Sequence, residues 1–232
     1  YDFIVHYEPH AQVGGDFYEI VEIEPGRYFI ALADVTGHGV QGAMVVVAAL
    51  KGLRFILKQE KGLIEVLTRL NDEVKSDLLS GQFITMFAGI LDVTANTLTC
   101  VCAGHHPTLL ASAKRRTVLE QIGNKGPALG LMKGEIFKRG LKPMTMALEP
   151  GDTLLMYTDG LTEVHNSKGA EYGELRMFGS LISSLDSPYD QVVRRIVGEA
   201  RHFAGGVLED DVTVMSLSVP LPKEEDAEAQ SG

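Results

Sequence analysis

Three strand-like apolar runs open the chain, “YDFIVHYE”, “DFYEIVEIE” and “RYFIALAD”. The Pro-Gly turn “EPGR” joins the second to the third. The pattern then changes period. “GAMVVVAALKGLRFILKQ” and “GLIEVLTRLNDEVKSDLL” carry apolar residues at three- and four-residue spacing, which predicts two amphipathic helices joined near “EKG”. A second strand group follows, “FITMFAGILDV”, “TLTCVCAG”, “PTLLAS” and “RRTVLEQI”, with the turns “TAN” and “AKRR” between its members. Residues 123 to 150 are rich in glycine and proline, and no element is predicted there. Beyond them lie a strand (“TLLMYTDG”), a polar loop, two helical stretches (“ELRMFGSLISSL” and “DQVVRRIVGEARHF”) and a last strand, “DVTVMSLSV”.

Short strands on hairpin-length turns predict mainly antiparallel sheets, with helix pairs in the middle and near the end of the chain. Each sheet must bury a face. The expected fold is therefore α+β, an α-β-β-α four-layer sandwich of two mainly antiparallel sheets flanked by helix pairs. A βαβ-repeat fold fits this order poorly. Residues 1–220 are expected to form one domain. Residues 221–232 end in “KEEDAEAQSG”, which has almost nothing to bury, and read as a disordered acidic tail.

Charge and cysteine usage narrow the function. With 21 Lys and Arg against 31 Asp and Glu, the net charge is −10. That excludes an electrostatic nucleic-acid binder, which needs a basic face. Cys100 and Cys102 lie two apart on a predicted strand and read as core residues, with no disulfide framework, as suits a reducing cytosol. No apolar stretch is read as a membrane span and no leader precedes the first strand, so the expected setting is cytoplasmic and off the membrane. The chain opens on Tyr1, already in a strand pattern. It reads as an excised domain with a sensor or receiver upstream.

The candidate chemistry sits where aspartates meet strand ends. Asp34 closes “YFIALAD” and Asp159 closes “LLMYTD”, each at a glycine-containing turn. Asp16 opens a strand after two glycines, and Asp210 and Asp211 open the last one. In antiparallel sheets strand ends lie beside their neighbours' starts, so these carboxylates can converge on one edge. Gathered carboxylates repel one another unless a cation neutralises them. An all-oxygen set selects a hard ion, Mg²⁺ or Mn²⁺, over zinc. Two such ions roughly 3.5–4 Å apart can activate a water for in-line attack on a phosphate. Taken singly, each aspartate also has a plain reading: a helix cap for Asp34, a turn for Asp159 and a bulge or hairpin for “GGD”. His38, in “TGHG”, can be a general acid or a turn histidine bonded to backbone, and the second reading is preferred.

The ordered motifs “VGGDFYE”, “LADVTGHGVQGA”, “FITMFAGILD”, “CAGHHPTLL”, “LEPGDTLLMYTDGLTE” and “EDDVTVMSL” resemble the metal-dependent serine/threonine protein phosphatases (PPM, type 2C-like), in their bacterial SpoIIE/RsbU-like branch. The resemblance runs from about residue 5 to residue 219. It implies two Mn²⁺ or Mg²⁺ ions, and allows a third. Asp34 would bridge the ions beside the Val35 carbonyl, Asp159 and Asp210 would hold one ion, and Asp16 would complete the site directly or through water. Of the adjacent Asp210 and Asp211, the family order favours Asp210. The implied reaction is hydrolysis of phosphoserine or phosphothreonine by metal-activated water, with no phosphoenzyme. The implied partner is a phosphorylated STAS-type anti-anti-sigma factor or similar signalling phosphoprotein. The helix pair at 41–58 and 62–80 would be a regulatory switch and a homodimer-forming element, or else a plain outer layer.

Three departures stand out. Glu19 replaces the branch's usual Asp, His106 stands where the branch often has Pro, and residues 1–15 lack the phosphate-clamping arginine of the eukaryotic branch. A catalytically weak phosphoprotein-binding regulator of the same fold is the alternative function, and the intact acidic motifs speak against it. “GGDF” superficially resembles a diguanylate cyclase signature, but Phe17 directly follows the acidic residue and the required G-G-[DE]-E-F is absent.

Overall fold

The computed structural model describes residues 1–37, 39–123 and 126–221. His38 and residues 222–232, on which the turn-histidine and tail expectations fall, lie outside the described residues. One sheet runs in the order β1 (Asp2–Glu8), β10 (Val212–Ser218), β9 (Asp152–Tyr157), β6 (Thr108–Ser112) and β7 (Thr117–Ile122). The other runs β2 (Asp16–Glu24), β3 (Arg27–Val35), β4 (Ile84–Asp92), β5 (Thr97–Ala103) and β8 (Met144–Ala147). Every pairing between these strands is antiparallel. The helices α1 (Gly39–Ile56) and α2 (Leu63–Val74) cover the second sheet, and α5 (Gly173–Ser184) and α6 (Tyr189–Phe203) cover the first. This is the expected four-layer sandwich.

Three apolar layers hold it together, and the two-residue alternation of strands assigns side chains to them. On β3, Phe29, Ala31, Ala33 and Val35 face the helices and pack with Ala49, Leu53, Leu67 and Leu70. Ile30 and Leu32 face the opposite sheet, among Phe87, Leu154, Met156, Met215 and Leu217. A strand buried on both faces must be apolar at nearly every position, which explains the unbroken run “YFIALA”. β9 divides the same way, with Leu155 and Tyr157 toward α5 and α6 and Leu154 and Met156 toward the other sheet. Cys100 belongs to the layer between the sheets, and both cysteines are free and buried.

Four features depart from expectation. Residues 123 to 150 carry two elements that the sequence pattern did not predict: α3 (Gly134–Gly140), anchored by the fully buried Phe137, and β8, which pairs with β5. Asp159 opens a short helical turn, α4 (Asp159–Thr162), in place of a simple turn. Asp210 and Asp211 precede β10, which begins at Val212. Finally, α1 is long and apolar enough to cross a membrane by length and composition, contrary to the reading that no stretch qualifies. Its Val45, Ala49, Leu53 and Ile56 pack against the second sheet and α2, while Val40, Met44, Val47 and Phe55 are exposed.

Candidate metal centre

At one rim of the sandwich the first residue of β2 meets the end of β3, and Asp16 is the direct cross-strand partner of Asp34. Both are even-numbered on their strands, so they share the inner face with Ile20, Ile30 and Leu32. The Val35 N–H donates to the Gly15 carbonyl at 3.1 Å, closing the pair. From the other sheet, Asp159 follows the end of β9 and Asp210 and Asp211 precede β10. The two sheets thus bring Asp16, Asp34, Val35, Thr36, Gly37, Asp159, Asp210 and Asp211 around one cleft of about 270 Å³. Among the described residues, no Lys or Arg lines it.

The backbone is bare where room is needed. A Cβ on Gly15 would lie 3.0 Å from the Val35 carbonyl oxygen and 3.1 Å from that of Gly37. One on Gly42, in the first turns of α1, would lie 2.6 Å from the Gly37 oxygen, so the helix rests directly on the loop after β3.

Asp210 and Asp211 separate by their contacts. Asp211 is buried, and its two carboxylate oxygens accept from the backbone N–H groups of His10 (2.8 Å) and Gly15 (2.7 Å). It is occupied in joining the last loop to the β1–β2 connection. Asp210 is exposed and, among the described residues, accepts only from the Asp211 N–H, at 2.8 Å. Asp210 keeps one carboxylate oxygen without a hydrogen-bond partner among the described residues, whereas both oxygens of Asp211 are engaged.

Burial and mutual repulsion set the electrostatics. Burial raises the Asp16 carboxyl to about 8, against the hydroxyls of Thr213 and Thr158, which lower it. Burial also raises Asp34 to about 7, helped by Asp159, Asp210 and Asp211. Asp159 moves the other way, held below its ordinary value by His106. His106 Nε2 lies 3.9 Å from Asp159 Oδ2, an ion-pair distance too long for a hydrogen bond, and the ring stacks on Tyr157. Asp159 in turn raises the His106 pKa. His105 is buried behind it; its Nδ1 shares a hydrogen bond with Thr85 Oγ1 at 2.8 Å, and burial lowers its pKa to about 3. Glu19, the departure on β2, points away from the cleft to Arg54 Nε on α1, at 2.5 Å.

Carboxylates raised by burial and by each other suit a divalent cation, and the donor set is entirely hard oxygen. Among the described residues, no three His, Cys, Asp or Glu side chains close tightly on one point. Mg²⁺ does not require that, since it keeps several waters and takes one or two carboxylates. The Gly15 opening beside the Val35 carbonyl supplies the space. These residues fit a hydrated Mg²⁺ or Mn²⁺ centre.

The family model for Stage II sporulation protein E (SpoIIE) matches residues 24–220. The chain belongs to the SpoIIE family. The matched span includes Asp34, Asp159 and Asp210, and Asp16 lies just ahead of it. This SpoIIE-family chain is 27% identical to the phosphoserine phosphatase RsbU of Bacillus subtilis over 210 residues, covering 90% of this chain and 60% of that one. It is 22% identical to Protein IcfG of Synechocystis over 242 residues, covering 91% of this chain and 37% of that one. The chain therefore spans only 60% and 37% of the length of these two curated relatives. Among solved structures, the SiaA-PP2C domain of Pseudomonas aeruginosa matches with a TM-score of 0.79 at 20% identity, covering 93% of this chain and 84% of that one. The fold is thus that of the PPM (PP2C) phosphatases, in their SpoIIE/RsbU branch.

Thr158 and Thr213, whose hydroxyls bond Asp16 at 2.7 and 2.6 Å, were not among the site residues expected from the sequence. The one signal was position: each stands two residues or fewer from a candidate aspartate, at a strand end.

Proposed function

We propose that this SpoIIE-family chain is a metal-dependent protein serine/threonine phosphatase acting on a phosphorylated signalling protein. One observation carries the reading: carboxylates from both sheets, with Val35, line a single cleft whose buried Asp16 and half-buried Asp34 favour a cation between them. Family membership and the phosphoserine phosphatase RsbU among its relatives support the reaction class.

Asp34 and Val35 would hold the ions from β3, Asp16 from β2, and Asp159 and Asp210 from the rim of the opposite sheet. Bound there, two Mn²⁺ or Mg²⁺ ions, with allowance for a third, supply Lewis acidity that activates water and offsets phosphate charge. The chain's own contribution is to fix the donors on rigid strand ends and to keep the cleft anionic, so that a bare phosphate monoester is repelled unless cations are present. Among the described residues lining the cleft there is no Lys or Arg to clamp the phosphate. His106, paired to Asp159, places an imidazole beside the site.

A STAS-type anti-anti-sigma factor is the proposed phosphoprotein, by the motif resemblance to the SpoIIE/RsbU-like branch. Residues 1–220 would be the catalytic unit of a longer, cytoplasmic protein with an upstream sensor or receiver, and α1 and α2 its switch and dimer element. Phosphate release from a phosphoserine peptide, followed with Mn²⁺ and with EDTA, tests this. Turnover should need the metal and fall about 100- to 1,000-fold in Asp34→Asn, the scale of losing a principal transition-state stabiliser. Turnover unaffected by EDTA would overturn the proposal.

A further inference from the structure

Resting on the reading of the cleft as a metal centre, we propose that Thr158 and Thr213 are its positioning residues: they pin one oxygen of Asp16 and leave the other to face the cation. Asp16 comes from the second sheet and the threonines from the first. On β9 and β10 the alternation that sends Tyr157, Val212 and Val214 toward the helices turns Thr158 and Thr213 inward. Both converge on the same atom. Thr158 Oγ1 lies 2.7 Å from Asp16 Oδ2, and Thr213 Oγ1 lies 2.6 Å from it. All three residues are buried.

The proton directions are determined by the inventory of donors. Thr158 Oγ1 accepts the Thr213 backbone N–H at 3.0 Å, and its own proton goes to the carboxylate at 2.7 Å, much nearer than the Thr213 carbonyl at 3.5 Å. Thr213 Oγ1 has Asp16 as its partner among the described residues, and a carboxylate oxygen accepts, so it also donates. Two short donations to Oδ2 saturate that oxygen and fix the carboxylate plane. Among the described residues none hydrogen-bonds Oδ1, which belongs to the residue lining the cleft. Branching at Cβ restricts the χ1 of each threonine, so the hydroxyls hold their aim. Partners behind a ligand govern its orientation, and losing one typically costs 10–100-fold in metal affinity.

The two threonines are not equivalent. Removing the Thr158 hydroxyl would also strand the Thr213 N–H, whereas Thr213 Oγ1 serves Asp16 alone among the described residues. Thr213 is therefore the cleaner test. Calorimetric titration with Mn²⁺ alone, without substrate, is run on wild type, Thr213→Val, Thr213→Ser, Asp16→Asn and the Asp16→Asn/Thr213→Val double variant. Thr213→Val should weaken Mn²⁺ binding at least about 10-fold. Thr213→Ser, which keeps the hydroxyl, should stay within about 3-fold of wild type, and the double variant should bind no more weakly than Asp16→Asn. If the valine variant does not fold, Thr213→Ala against Thr213→Ser compares the same hydroxyl in smaller side chains. Unchanged affinity in Thr213→Val (or in alanine against serine), or full additivity with Asp16→Asn, would overturn the positioning role while leaving the metal centre intact. A wild type that binds no Mn²⁺ would overturn both.

Discussion

Replacing Asp34 by Asn should make the metal-free protein more stable at pH 8 while blunting its response to metal. Burial, then the carboxylates of Asp159, Asp210 and Asp211, raise the Asp34 carboxyl from 3.8 to about 7. At about 1.36 kcal/mol per pH unit this corresponds to about 4 kcal/mol of penalty on the ionised form, and solvent in the open cleft reduces it to roughly 2 kcal/mol. The unfolded chain releases the proton near 3.8 and the folded chain keeps it to about 7. Between those values the folded state holds more protons, so stability falls as pH rises. Asn has no such proton. Its advantage is absent near pH 4, grows through the window and is complete above about pH 7. A chain of this size gains about 2–4 °C per kcal/mol, so Asp34→Asn should unfold about 4–8 °C above wild type in EDTA at pH 8. Thermal unfolding across pH 4 to 8, with EDTA and with Mn²⁺, measures this. Added Mn²⁺ should raise the unfolding temperature of the wild type by more than that of Asp34→Asn. An Asp34→Asn protein equal to or less stable than wild type in EDTA at pH 8 would refute the electrostatic reasoning.

Asp211→Ala leaves the His10 and Gly15 N–H groups without acceptors, and should cost about 2–3 kcal/mol in urea unfolding of the metal-free chain. Asp210→Ala should cost less than about 1 kcal/mol there and weaken Mn²⁺ binding instead; the reverse pattern would move the ligand role to Asp211. Gly42→Ala drives a Cβ to within 2.6 Å of the Gly37 carbonyl, so it should lower Mn²⁺ affinity and destabilise the chain by about 1–3 kcal/mol in the same assays. Leu67→Ala, in the fully buried seam between α2 and the second sheet, should cost about 2–5 kcal/mol in urea unfolding.

The architecture was legible because its main signals are local. β3 is apolar on both faces and reads as an unbroken run, and α2 and α6 show their apolar stripes at helical spacing. α3 and β8 escaped for the opposite reason. They sit in a segment punctuated by Gly and Pro, and α3 depends on one buried side chain, Phe137, whose value lies in its contact with the α1–α2 layer. At the site, strand-end placement singled out Asp16, Asp34, Asp159 and the Asp210–Asp211 pair as able to converge. The contrasting contacts of Asp210 and Asp211 come from distant partners, His10 and Gly15, that no local pattern announces. Thr158 and Thr213 were hidden by their ordinariness, since threonine is a common strand former and becomes informative only once the sheets are stacked. The same stacking explains Glu19. Of opposite parity to Asp16 on β2, it faces α1 and Arg54 rather than the cleft.

On the proposed function, these carboxylates hold the cations that drive phosphoester hydrolysis. The most direct measurement is phosphate release from a phosphoserine peptide as Mn²⁺ is titrated into metal-free wild type and into Asp159→Asn. Turnover should be absent without Mn²⁺, rise with it to saturation in the wild type, and in Asp159→Asn stay at least about 100-fold lower at the same Mn²⁺ concentration. Saturating turnover of equal size in both proteins, or release that does not depend on Mn²⁺ at all, would contradict that function.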